Sequence, residues 1–124
     1  MNISLSNMEW KLMNPLWDHS PMTLMQLTRA LEADTGWTKH TVITMLTRLE
    51  GKGAVRWEQA GRARNYFPVV SREEARREET AGFLDRVYGG RLGLMVNAMV
   101  EDRALTKEDI EELSEILRRA GEKK

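Results

Sequence analysis

The chain has no cysteine among its 124 residues. Disulfides, thiolate metal sites and cysteine nucleophiles are therefore excluded together, and a reducing compartment is a compatible setting. Net charge is missing too, with 19 Lys and Arg against 19 Asp and Glu, so no global field draws the chain towards nucleic acid or an anionic surface. No apolar run approaches the roughly 18 residues that would span a bilayer. The opening residues, MNISLSNMEW, lack the basic start and apolar stretch of a signal peptide. A cytoplasmic protein without membrane insertion is expected. His19 and His40 have no companions at metal-ligand spacing, so neither a metal nor a cofactor is expected. Gly51-Lys52-Gly53 is too short for a phosphate loop. The carboxylates after Ser71 alternate with arginines in helical register, as on a solvated, ion-paired face. No nucleophile–base set is visible, no catalytic residue is assigned, and the chain reads as a non-enzyme.

What is present is a soluble, folding composition, 41% hydrophobic and 31% charged. The length suits one small domain, or a compact domain with an oligomerisation arm. Ser6 and Glu9 form a capping box ahead of Met8, Leu12, Met13, Leu16 and Trp17 at helical spacing, and Ser20-Pro21 ends this first helix. Met22-Thr23 leads into a second helix striped by Leu24, Leu27 and Leu31, which Asp34-Thr35-Gly36 breaks. Thr38 caps a third, with Val42, Met45, Leu46 and Leu49 facing inward and Gly51-Lys52-Gly53 at its end, where glycine accepts a left-handed cap. The period then shifts to two: residues 54–58 and 65–67 read as strands around the turn 59–64, which carries Arg62 and Arg64. Three helices and a hairpin in that order make a winged helix-turn-helix. Ser71 to Glu74 is a second capping box, opening a fourth helix that Gly89-Gly90 ends; a fifth and a sixth follow, the last opened by Thr106, with a frayed tail from Gly121. The expected fold is mainly α, with a winged-helix DNA-binding domain over 1–70 and a helical dimerisation region over 71–124.

The neutral average hides a basic segment. Between Gly36 and Phe67 stand Lys39, Arg48, Lys52, Arg56, Arg62 and Arg64 against only Glu50 and Glu58, which suits a phosphate-facing surface. The third helix is the candidate recognition helix, since residues near a helix start reach base edges in the major groove. Thr38, Lys39, His40, Thr41 and Thr44 hold that end, although a solvated polar face would look the same. Arg62 and Arg64 on the wing can reach a backbone or minor groove, or can merely solubilise a hairpin tip. Arg48 can contact phosphate or pair with an acid of the fold.

Beyond the wing the apolar residues outnumber what so short a segment can bury alone. Phe83, Leu84, Val87, Tyr88, Leu92, Met95, Met99, Ile110, Leu113 and Leu117 suit pairing with the same segment of a second chain, unless they fold back on their own domain. A two-fold dimer would set two recognition helices roughly 34 Å apart and predicts a palindromic double-stranded operator.

The sequence resembles the penicillinase-repressor (BlaI/MecI-like) family along almost its whole length. The resemblance rests on MEWKLMNPLWDHSPMTLMQL from Met8, GWTKHTVITMLTRLEGKGAV from Gly36, GRARNYFPVVSREEA from Gly61, FLDRVYGG from Phe83 and LTKEDIEELSEIL from Leu105. It implies a dimeric repressor of β-lactam resistance genes, with Lys39, Thr41, Thr44 and Arg62 at DNA-contacting places. It also implies induction through a membrane sensor with metalloprotease activity that leads to cleavage of the dimerisation arm. Alignment on Val100-Glu101 sets Asn97, Ala98 and Met99 at the cleavage region. Ala98-Met99 replaces the family's asparagine–phenylalanine pair there, which leaves open whether this arm is cut. The cysteine-rich motif of the copper-responsive branch is absent. Two other readings compete: a winged-helix regulator sensing a small molecule between subunits, near Tyr88, Met95 and Met99, and a winged-helix protein-interaction module without DNA binding.

Overall fold

Capping decides where the first three helices begin. The computed structural model describes residues 3–122. Ser6 accepts the Glu9 N–H at 3.2 Å while the Glu9 carboxylate accepts the Ser6 N–H at 2.8 Å, closing the box that opens α1 (Asn7–His19). Thr23 and Gln26 do the same for α2 (Leu24–Thr35), a box that the sequence reading passed over. Thr38 caps α3 (Lys39–Gly51). The strands β1 (Val55–Ala60) and β2 (Ala63–Pro68) pair antiparallel from Val55↔Pro68 to Ala60↔Ala63. Both are longer than expected, because the turn needs only Gly61 and Arg62; Gly61 sits at φ 64, where a side chain would be strained. Arg64 therefore belongs to β2, not to the turn.

The core is built from the inward faces of α1, α2 and α3 and the hairpin. Leu12, Met13, Leu16, Leu27, Val42, Leu46 and Leu49 are fully buried, and Val55, Tyr66, Val70 and Ala75 close it from the hairpin and beyond. Met8, placed on the apolar stripe of the first helix by its spacing, is instead 42% exposed in the first turn of α1. A backbone bridge unexpected from the sequence joins Met22 to Tyr66, with Met22 N–H donating at 3.2 Å and Tyr66 N–H returning at 2.8 Å. It straps the segment before α2 onto the wing.

Among the described residues, one charge is buried in this body. Glu9 is 2% exposed and accepts the Lys52 ammonium at 2.6 Å; Lys52 also donates to the Ser4 carbonyl at 2.9 Å. Burial alone would raise the Glu9 pKa, but the bonds from Lys52 and Ser6 outweigh it and hold the carboxyl below its ordinary value.

α4 (Arg72–Tyr88) opens with Ser71 accepting the Glu74 N–H at 3.1 Å, while the Glu74 carboxylate takes the serine hydroxyl rather than its N–H, half of a capping box. Arg72 binds back to Asp18 at 2.9 Å and to the Asn14 carbonyl at 3.0 Å, and the Trp17 indole donates to the Val70 carbonyl at 2.9 Å. These bonds, with buried Ala75, tie the start of α4 to the helix–hairpin body. Contacts accordingly divide the chain after Thr80, inside α4, rather than at the expected 70/71 boundary. The second unit holds the rest of α4, α5 (Leu92–Glu101) and α6 (Lys107–Glu122). α6 continues through Gly121 and Glu122, where fraying was expected; Lys123 and Lys124 lie outside the described residues. Among the described residues no helix is long and apolar enough to cross a membrane, and no group of three His, Asp or Glu is placed to hold a metal ion.

Candidate nucleic-acid interface

The outer face of α3 begins with its own cap. Thr38 Oγ1 accepts the Thr41 N–H at 3.3 Å, and the two threonine hydroxyls lie 3.3 Å apart. Lys39, His40, Thr47 and Arg48 are exposed, and Thr41 and Thr44 half-buried. Thr44 donates its hydroxyl to the His40 carbonyl and Thr47 to the Ile43 carbonyl, both at 3.0 Å. With their protons committed to the helix, these hydroxyls offer outward only lone pairs and methyl groups. Such groups accept from the amino groups of adenine or cytosine or touch a thymine methyl, whereas a phosphate oxygen needs a donor.

The wing supplies the donors. Arg62 occupies the two-residue tip beside Gly61. Arg64 pairs across the hairpin with Gln59, and its guanidinium lies 3.8 Å from the centre of the Trp57 ring. That stacking fixes the plane of Arg64 while its N–H groups stay exposed. The Trp57 indole is held in turn by Glu50 at 3.1 Å, a residue of α3.

Lys39, Arg62 and Arg64 line one open cleft of about 440 Å³, together with Thr23, Leu24, Met25, Ile43, Ala63 and Tyr66. Three of the residues singled out from the sequence thus meet although 25 positions separate the first from the last. Thr38, His40, Thr41, Thr44 and Arg48 stay along α3 outside it. Among the described residues Lys39, Arg48, Arg62 and Arg64 meet no carboxylate, as Lys11 and Arg29 elsewhere meet none, while Lys52, Arg56, Arg72, Arg77, Arg118 and Arg119 each have at least one. Lys52, a phosphate candidate by sequence, is thereby taken up by Glu9. Two cleft residues escaped the sequence reading, Met25 at 52% and Ile43 at 42% exposure. The signal available was an isoleucine within the polar run from Thr38 to Thr44.

In the second unit Phe83, Val87, Leu92, Met99, Ile110, Leu113 and Leu117 are exposed, with Leu84, Tyr88 and Met95 half-buried. The Phe83 and Tyr88 rings meet at 6.1 Å. No described residue of α5 or α6 is buried. Asn97, Ala98 and Met99 lie in mid-α5, where the Asn97 amide donates to Glu101 at 3.3 Å.

A family model described as "Penicillinase repressor" matches residues 5–119. The penicillinase repressor of Bacillus licheniformis is 33% identical over 113 residues, covering 91% of this chain and 88% of its own length. The methicillin resistance regulatory protein MecI of Staphylococcus aureus (strain N315) is 26% identical, covering 91% of this chain and 92% of its own. Among solved structures, the DNA-binding domain of the repressor BlaI aligns at a TM-score of 0.55 with 28% identity, over 60% of this chain and 90% of that one. The monomeric form of Bacillus licheniformis BlaI, in complex with the blaP half-operator, aligns at 0.53 with the same identity and coverage. MepR of Staphylococcus aureus, at 19% identity and a TM-score of 0.52, shares the winged-helix fold over 96% of this chain. With a match from Leu5 to Arg119 and relatives along nine-tenths of its length, this chain belongs to the penicillinase repressor family.

Proposed function

We propose that the chain is a homodimeric transcriptional repressor that occupies a palindromic operator in the cytoplasm, controlling genes of β-lactam resistance. α3 enters the major groove and the wing lies on the adjoining backbone. One observation carries this reading: Lys39 and Arg62, cations without carboxylate partners among the described residues, come from two elements to line one cleft with the stacked Arg64. A solvated polar face would leave such cations scattered or paired. Thr38, His40, Thr41, Thr44 and Arg48 extend the contact along the helix. Dimerisation is supported by α5 and α6, which have apolar stripes and no buried residue of their own. The family's indirect partner, a membrane sensor with protease activity, would act on the arm near Asn97, Ala98 and Met99.

The test is binding to duplexes selected from a random pool, followed by anisotropy over a range of salt. Lys39→Ala and Arg62→Ala should each weaken binding about tenfold and reduce the salt slope by about one ion. Wild-type affinity in both variants at every salt concentration would refute the interface.

A further inference from the structure

The DNA-facing surface contains an apolar spot that its cations do not explain. Ile43 is 42% exposed on α3, one turn beyond Lys39, and Met25 is 52% exposed at the start of α2; both line the cleft ringed by Lys39, Arg62 and Arg64. Neither supports the core, and each sits among groups suited to phosphate. An isoleucine in that position gains nothing from water and nothing from a phosphate. The major groove presents one apolar group at its base edges, the 5-methyl of thymine.

We infer that Ile43, backed by Met25, is a specificity-determining residue that reads the 5-methyl group of a thymine in each operator half-site. This rests on α3 lying in the major groove as proposed above. Lys39, Arg62 and Arg64 hold the backbone around the cleft and carry no sequence information themselves. The Ile43 side chain then meets the methyl in a space that closing of the interface dries. Thr44 and Thr47 also present methyl groups, so the test must separate Ile43 from them.

The probe is the tightest duplex recovered by the full-length protein from a random pool, with thymines replaced one at a time by deoxyuridine. Deoxyuridine pairs identically and lacks only the methyl. At one position per half-site, wild type should lose affinity about fourfold, the worth of one buried methyl group. Ile43→Ala, at an exposed helical position, leaves the core intact and should bind the thymine and deoxyuridine duplexes equally. Ile43→Val should keep most of the discrimination. If no single replacement affects wild type, or if the penalty persists undiminished in Ile43→Ala, the inference is overturned while the groove assignment stands. Failure to recover any preferred duplex would overturn the repressor reading and this inference together.

Discussion

Glu9 is drawn out of water by the turn that caps α1, and its charge survives there because Lys52 and the Ser6 N–H meet one oxygen. The other, Oε2, is buried without a hydrogen-bond partner among the described residues. The sign of the pH effect follows. The folded carboxyl titrates below its unfolded value, so its contribution is complete above the ordinary carboxylate range and drains away as pH falls through the folded pKa. Urea denaturation should show stability falling on acidification below about pH 4.5. Lys52→Met should cost roughly 2 kcal/mol at neutral pH, by stranding a buried carboxylate, and should flatten that acid dependence. The Ser6–Glu9 box was legible in four consecutive residues. The Lys52 contact was not, because 43 positions separate the partners and nothing local marks which cation returns to which acid. Ile43 and Met25 were missed for a related reason: apolar letters are read as core unless a backbone shows them facing out.

Elements were legible wherever a cap or a period marked them. α3 runs from its Thr38 cap with the four expected residues buried. The hairpin ends were misjudged, since arginines read as turn residues whereas Arg64 is held in a strand by its stack on Trp57. Two glycines make the backbone argument testable. Gly61→Ala forces a side chain to φ 64 and should cost about 1 kcal/mol, with weaker operator binding as Arg62 loses its aim. Gly51 lies within α3 with open space where a Cβ would stand and no positive φ. Gly51→Ala should therefore stabilise the fold by about 0.5 kcal/mol and leave affinity unchanged. Thermal melts and anisotropy on the pair read both effects.

For the whole molecule, the sequence showed that apolar residues after Ser71 exceed local need, but not where the DNA-binding body stops. That body extends into α4, because Arg72 and Ala75 are anchored to it. Leu113 and Leu117 stand exposed on α6, Leu117 at 67%. Replacing both by Glu should leave the melting of the first unit unchanged. If α6 pairs with a second copy as proposed, sedimentation should show the dissociation constant of that pair rising on the order of a hundredfold or more, two leucines per subunit then being lost from the interface. Operator affinity should fall with it. Cleavage near Ala98-Met99 would need α5 to unwind first, as proteases act on transiently opened segments. Trypsin-free incubation with a generic endoprotease, followed by mass spectrometry, should find this bond cut more slowly than the Arg103 turn, where the backbone already leaves the helix.

The bridge between Met22 and Tyr66 has a consequence for how such a regulator can change its target. Both of its bonds are main-chain bonds, so drift among surface side chains leaves them in place. The hold of the wing on the segment before α2 is thus set by peptide geometry. If α3 reads the groove and the wing the backbone as proposed, substitutions among the outward residues of α3 would alter what is read without loosening this main-chain tie.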